Sequence, residues 1–295
     1  MTDPDPTVAA IQTAVDDLRV ERNVDRLRDR IVNLPDRVDI AVCPEYALTG
    51  FADDDRLRNV ALGRSAAVDR LSEIAATGEV DVVAGYVERD GDEQSAETGP
   101  RTGNRVGGEL YNATAYVPTP DVSGREATVY RKRHLWGVER ERLTPGSERV
   151  VVETPAGPAG LLTCYDLSFV AESAWYTERA VDALFVPGAW PAAHAANWRL
   201  LLRARALDGV RWVVGAGRVG RSGGDEGAGD TGGREDGSGD ADGVEYAGCS
   251  LVARPDGRIG AALGHGKRDL IVTLDRSVLE RQRELVGSVP ERGSV

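Results

Sequence analysis

The chain contains little cysteine, histidine or lysine. The few cysteines and histidines argue against a disulfide-stabilised protein and against a metalloprotein. Three widely spaced cysteines in 295 residues do not form a disulfide framework. Three isolated histidines give no spacing typical of a metal site, and the cysteines add none: His134, His194, His265. We therefore expect no bound metal and no other cofactor.

Long apolar runs and excess positive charge are also absent. No uninterrupted apolar stretch approaches the roughly 18 residues of a membrane span, and the first residues show no signal-peptide pattern. The formal net charge is −12 and the pI is near 4.9, so the surface repels nucleic acid phosphates and anionic membranes. These features predict a cytoplasmic protein without membrane or nucleic-acid partners.

Lysine occurs only twice, as Lys132 and Lys267, whereas the other 34 of the 36 basic residues are arginines. Few lysines together with many acids and small residues are typical of proteins from a salt-loving cytoplasm, where high ionic strength screens self-repulsion. We therefore predict that folding and activity need molar salt. In a chain that otherwise uses arginine, Lys132 also indicates a place where a compact, mobile ammonium is needed.

Apolar residues follow strand-like runs that alternate with helical spacing, which predicts an α/β fold in one domain spanning residues 1–295. Strands are expected at 7–12 and 38–43, and Ser65 is expected to cap a helix. Residues 90–108 are expected to form a polar loop. Residues 221–243 contain nine glycines and seven acids, which predicts a flexible surface loop because such a segment buries too little apolar surface.

Three segments carry candidate catalytic side chains. Cys164 ends an apolar run, and Glu45 follows a proline that ends another, so both are expected at the carboxyl ends of strands, where open α/β sheets place their chemistry. Lys132 lies among aromatic residues, and Glu139 follows it by seven positions. Each residue alone has an ordinary interpretation, because free cysteine is usually a small buried hydrophobe and surface charges usually pair.

Taken together, these segments resemble the nitrilase superfamily of carbon–nitrogen hydrolases, from Val8 to about residue 275. Residues 44–51 are similar to its glutamate motif, 130–137 to its lysine motif and 163–167 to its cysteine motif, in the family's order and with family-like intervals. Downstream similarity covers 185–191 and 203–207. The resemblance implies a four-layer α-β-β-α sandwich and pairing into a homodimer or higher homo-oligomer. Cys-Tyr-Asp is typical of the amidase-like branch.

The resemblance also implies roles for individual residues. Cys164 would be the nucleophile, Glu45 the base, and Lys132 the cation that stabilises the oxyanion together with a backbone N–H. Glu139 would hold Lys132 or the substrate nitrogen. Three aromatic residues are candidates for substrate binding: Tyr46, Tyr165, Trp190. The implied reaction is hydrolysis of a nonpeptide C–N bond in a small amide through a cysteine thioester, releasing ammonia and a carboxylate.

Departures from the family pattern leave alternatives open. Many amidase-like members continue with Arg-Phe-Pro-Glu after the cysteine motif, where this chain has Ser168-Phe169-Val170-Ala171. Glu172, one place further on, is expected to face differently on a helix. Hydrolysis of an N-carbamoyl amino acid or of a nitrile is therefore an alternative. A catalytically silent relative that binds a small molecule or a partner protein is a second alternative, of a different class.

Overall fold

Two six-stranded sheets form the centre of the molecule in the computed structural model, which describes residues 4–91, 108–120, 124–222 and 243–287. The first sheet contains β1 (Thr7–Gln12), β2 (Ile40–Val42), β3 (Asp81–Arg89), β4 (Leu110–Val117), β5 (Thr128–Arg131) and β14 (Arg268–Thr273). The second contains β6 (Val151–Thr154), β7 (Gly157–Leu161), β8 (Ala183–Gly188), β9 (Trp212–Gly217), β12 (Leu251–Ala253) and β13 (Ile259–Ala262). A small ribbon pairs β10 (Val219–Arg221) with β11 (Glu245–Ala247).

The strand order is β14-β1-β2-β3-β4-β5 in the first sheet and β13-β12-β9-β8-β7-β6 in the second. The helices of the described chain are α1 (Val20–Val32), α2 (Arg56–Val60), α3 (Arg64–Gly78), α4 (Glu139–Arg142), α5 (Val170–Thr177), α6 (Ala195–Gly209) and α7 (Arg276–Val286). In both sheets the central strands pair in parallel: β2 lies between β1 and β3, and β8 lies between β7 and β9.

The two sheets pack face to face and bury a shared apolar layer. On β8, Ala183 and Phe185 belong to the cluster between the sheets, whereas Leu184 and Val186 pack on the opposite side with residues of α6. Because successive side chains of a strand alternate between faces, burial of both faces requires a continuous apolar run. This is why the central strands are recognisable in the sequence without alternation.

Helices cover the outer faces of the two sheets. Helix α1 buries Val24, Leu27 and Ile31 against the first sheet, at the spacing that places them on one helix face. Leu27 is 1% exposed, and truncating such a side chain to alanine costs about 2–5 kcal/mol. Helices α5 and α6 cover the second sheet. The order of layers is α-β-β-α, so the predicted four-layer, single-domain α/β fold is confirmed.

Several local expectations were wrong or incomplete. Ser65 lies inside the first turn of α3, and the N-cap position is Gly63, which has no side chain to accept a capping bond. The sequence did not predict β14 as part of the first sheet or α7 after it. The predicted loops at 90–108 and 221–243 fall largely on residues 92–107 and 223–242, which lie outside the described residues.

No helix within the described ranges combines the length and apolar character that a bilayer span needs. In the same part of the chain, no group of three or more histidine, cysteine, aspartate or glutamate side chains is arranged to hold a metal ion.

Candidate active site

Cys164 lies just beyond the carboxyl end of β7, at the start of a short 3₁₀ turn, Cys164–Ser168. Its φ of 49° is in the left-handed region, which costs a non-glycine residue about 1–3 kcal/mol. Such a conformation persists only where the surrounding structure holds it. A reciprocal capping box between Thr163 and Asp166 fixes it here. The thiol is 7% exposed and lines a cavity, so it is buried but still accessible.

Glu45 is held where the two sheets meet. Its segment follows β2 and packs so closely on β3 that a Cβ on Gly85 would lie 2.6 Å from the backbone nitrogen of Tyr46, so only glycine fits there. The carboxylate is 2% exposed. Its Oε2 accepts a 2.8 Å hydrogen bond from the backbone N–H of Ala189, which follows β8 of the other sheet.

Lys132 lies between two carboxylates. Its Nζ is 2.8 Å from Glu45 Oε1 and 2.9 Å from Glu139 Oε2, and all three side chains are buried. Glu139 also accepts a 2.7 Å bond from the backbone N–H of Trp136 and a short bond from the Tyr46 hydroxyl. The three charged side chains are therefore fixed in one geometry by several partners each.

Asn112 on β4 completes this network, and the sequence reasoning missed it. Its amide nitrogen lies 2.7 Å from Glu45 Oε1, 2.9 Å from Glu139 Oε1 and 2.8 Å from the Tyr46 hydroxyl. A signal was present in the sequence, because a polar amide inside an otherwise apolar strand needs a hydrogen-bonding partner when buried. The Asn112 amide thus links the two carboxylates, which also share Lys132.

Lys132 and Glu139 stabilise each other in their charged forms. Burial alone would lower the pKa of Lys132, but the charges of Glu139 and Glu45 hold it well above its usual value. Burial would raise the pKa of Glu139, but the charge of Lys132 and the hydrogen bond from Tyr46 keep it below its usual value. Lys132 is therefore an ammonium and Glu139 a carboxylate at neutral pH.

The sulfur responds differently. Burial, together with the negative charge of Glu45, raises the pKa of the Cys164 thiol well above its ordinary value, and the opposing effect of Lys132 is smaller. Lys132 favours the thiolate, but burial and the charge of Glu45 outweigh its effect in the resting site. Cys164 is a thiol, and a base must remove its proton when it attacks.

Glu172 binds side chains of the segment that carries Lys132. It lies in the first turn of α5, is 1% exposed, and binds Arg133 Nη1 at 2.7 Å, His134 Nε2 at 2.8 Å and Arg149 Nε at 2.7 Å. Burial would raise its pKa, but the hydrogen bonds from Arg149 and His134 and the charge of Arg133 lower it. An acid and two arginines thus brace the segment that carries Lys132, although the Arg-Phe-Pro-Glu pattern is absent.

The cavity has a volume of about 1070 Å³ and contains all four candidate catalytic side chains in its lining. The three aromatic residues proposed from the sequence also line it: Tyr46, Tyr165, Trp190. The hydroxyl of Tyr46 is already bound to Glu139, so its ring rather than its hydroxyl is available to a ligand. Tyr246, which the sequence reasoning missed, lines the cavity as well, with its ring packed on the guanidinium of Arg218 at 4.3 Å.

A thiol, an ammonium and two carboxylates thus line one cavity, the combination that the resemblance to carbon–nitrogen hydrolases implies. The profile of the carbon-nitrogen hydrolase family matches residues 7–284, and the chain belongs to this family. The match extends beyond residue 275, where the recognised resemblance ended, and includes most of α7.

Two relatives are similar in sequence, and two solved structures share the fold. The 2-oxoglutaramate amidase of Bacillus subtilis is 28% identical over 288 residues, covering 96% of this chain and 95% of its own. An (R)-stereoselective amidase of Pseudomonas is 26% identical over 277 residues, covering 94% and 87%. Saccharomyces cerevisiae Nit3, a nitrilase-superfamily member, has a TM-score of 0.76 at 22% identity, covering 99% and 97%. An amidase from Nesterenkonia has a TM-score of 0.74 at 21% identity, covering 97% of both chains.

Proposed function

We propose that this hydrolase cleaves the C–N bond of a small linear amide through a covalent thioester on Cys164, releasing ammonia and a carboxylate. The observation that carries the proposal is the contact of Lys132 with both Glu45 and Glu139 in the cavity that Cys164 lines. This arrangement supplies a nucleophile, a base and a cation for the developing negative charge, which are the groups that amide cleavage needs.

The first step is attack of sulfur on the carbonyl carbon. Because the resting Cys164 is a thiol, Glu45 takes its proton as the C–S bond forms, and the carbonyl π electrons move to oxygen. Lys132 Nζ and the backbone N–H that follows Cys164 then stabilise the oxyanion. Removing one such donor typically lowers kcat about 10²–10³-fold.

The second step is collapse of the tetrahedral intermediate. The oxyanion electrons re-form the C=O bond, the C–N bond breaks, and protonated Glu45 gives its proton to the departing nitrogen, which leaves as ammonia. Glu45, again a carboxylate, then takes a proton from water as the water oxygen attacks the thioester. The C–S bond breaks, the sulfur regains a proton, and a carboxylic acid leaves and ionises.

Glu139 is proposed to position Lys132 rather than to transfer protons. Its carboxylate accepts hydrogen bonds from four donors, so neither oxygen is free for a substrate proton. The donors are Lys132, Tyr46, Asn112 and the backbone N–H of Trp136. An acceptor with this many donors stays ionised, in agreement with its lowered pKa.

Amide hydrolysis is favoured over the alternatives because two relatives that align with nearly the whole chain are amidases. In one structure of an amidase from Nesterenkonia, acrylamide is bound covalently to the active-site cysteine. We assign the same nucleophilic role to Cys164. The cytoplasmic location, the homo-oligomer and the requirement for salt stay predictions from the sequence.

The test is an ammonia-release assay over amides, N-carbamoyl amino acids and nitriles in molar potassium chloride. We expect turnover of amides, loss of turnover in Cys164→Ala, and near-normal turnover in Cys249→Ala, a matched control because Cys249 is equally buried and does not line the cavity. Turnover that survives in Cys164→Ala would remove the mechanism. No turnover of any substrate by the folded protein would favour the catalytically silent relative.

A further inference from the structure

The mouth of the cavity is lined by large apolar side chains that are exposed to solvent. Four such residues line it, with exposures of 46%, 43%, 62% and 42%: Trp136, Val138, Leu200, Val244. We call these four residues the apolar rim. They come from three separate parts of the chain, so local sequence does not explain their gathering. Apolar patches that remain exposed next to a binding cavity mark surfaces that a ligand covers.

Aromatic rings continue this surface inward toward Cys164. Phe51 and Tyr46 are stacked with ring centroids 5.0 Å apart, and Trp190 packs against Trp198 at 5.5 Å. Tyr165 and Tyr246 complete the inner aromatic lining. Apart from Trp198, these rings and the apolar rim therefore line the same cavity as the thiol.

The volume of the cavity is that of a site for a sizeable ligand. Pockets of about 300–1,000 Å³ hold ligands of drug size, and this one measures about 1070 Å³. An amide such as acetamide would contact only the polar centre and would leave the rim and most of the aromatic lining in water. The lining is therefore built for a substrate with a sizeable apolar portion beyond the amide.

Most charged groups around the cavity already have partners of opposite sign. Three lining aspartates are bound to arginines at 2.8, 2.8 and 2.6 Å: Asp16 with Arg26, Asp17 with Arg218, Asp54 with Arg56. Arg19 also lines the cavity, but its side chain is exposed at the edge, where water screens its charge. The contacts left for recognition are mainly apolar.

We infer that the substrate is an amide with a long or bulky uncharged apolar acyl group, which lies along the aromatic lining and covers the apolar rim. This inference rests on the proposed amidase function and narrows its substrate class. Burial of added methylenes then raises kcat/KM by about twofold to fourfold each until the rim is covered. A terminal carboxylate on a chain of equal length loses that gain, because the charge would have to leave water.

The test compares acetamide, butyramide, hexanamide, octanamide and the six-carbon amide that ends in a carboxylate. Wild-type kcat/KM should rise along the uncharged series and should be at least tenfold higher for hexanamide than for its carboxylated counterpart. Leu200→Ser should lower the octanamide-to-acetamide ratio of kcat/KM by threefold or more. Leu207→Ser is the matched control, because Leu207 lies on the same helix, is 55% exposed, and does not line the cavity.

Three outcomes would overturn the inference. The first is a flat wild-type series, and the second is a preference for the carboxylated amide. The third is a Leu200→Ser variant that keeps the wild-type ratio but changes oligomeric state by light scattering, because a second copy of the chain would then cover the rim. Absence of turnover with every amide would instead refute the proposed function itself.

Discussion

Replacing Lys132 by methionine tests the centre of the proposed mechanism. The side chain keeps its unbranched shape, is one atom shorter, and loses the ammonium that contacts Glu45 Oε1 at 2.8 Å and Glu139 Oε2 at 2.9 Å. Two buried carboxylates then share the amide of Asn112 without a cation. The change therefore removes an oxyanion donor and also unbalances the charge of the site, and these two effects must be separated.

The magnitudes follow from burial. Lys132 is 1% exposed, and removing one partner of a buried ion pair costs about 3–5 kcal/mol of stability because the other charge stays unpaired. Loss of the oxyanion donor should lower kcat about 10²–10³-fold, or about 2.7–4 kcal/mol of transition-state stabilisation. Uptake of a proton by one carboxylate would relieve part of the stability loss but none of the loss in kcat.

A double variant separates the two effects. Lys132→Met changes the net charge of the site from −1 to −2, and Lys132→Met/Glu139→Gln restores the wild-type value of −1. Most of the lost stability should therefore return in thermal unfolding. Ammonia release should stay at least a hundredfold below wild type. Lys267→Met is the control, since it removes the other lysine, which is exposed and does not line the cavity. If the double variant recovers turnover together with stability, Lys132 only balances charge, and its assignment to the oxyanion is wrong.

Three further predictions concern the thiol, the bracing acid and the surface. Alkylation of Cys164 by iodoacetamide should keep accelerating above pH 9, because the pKa of the thiol is raised, and a rate that levels off below pH 9 would contradict this. Glu45→Gln removes the proposed base and should lower turnover about 10²–10⁴-fold. Glu172→Gln should lower kcat about tenfold or more with little change in KM, because Arg133 loses its counter-charge. The control is Asp81→Asn, which alters an equally buried acid away from the cavity and should lower stability alone. Equal losses of kcat in the two variants would refute a positioning role of Glu172. The melting temperature should rise between low and molar potassium chloride, and an unchanged value would refute the salt requirement.

The sequence was sufficient for features that depend on one segment at a time. A proline after the second strand and a thiol after β7 are local signals, and the continuous apolar runs predicted strands buried on both faces. Their order along the chain then led to the family resemblance. Such features predicted the α/β class and singled out Cys164, Glu45 and Lys132, because each signal is complete within about ten residues. The four-layer architecture and the role of Glu139 came from the resemblance.

Features that depend on strand register could not be predicted. Asn112 is 67 residues from Glu45 in the chain and reaches it only because β3 and β4 pair with Val87 opposite Asn112. A shift of one residue would turn the amide to the other face of the sheet. The same holds for Tyr246, which reaches the cavity from the small β10–β11 ribbon. No periodicity in a single segment contains that information.

The bracing acid shows how a lost motif can be replaced. Helix α5 begins after Phe169, whose ring stacks on His134 with centroids 3.6 Å apart, so the start of the helix is already fixed against the lysine segment. Glu172 lies in the first turn, where a negative charge also favours the helix dipole. The arginine that the motif lacks at Ser168 has counterparts in Arg133 and Arg149, which both bind Glu172 from outside the cysteine segment. Because these contacts join the segments that carry Lys132 and Cys164, the departure from the family pattern argues for rearranged support of the site rather than for its loss.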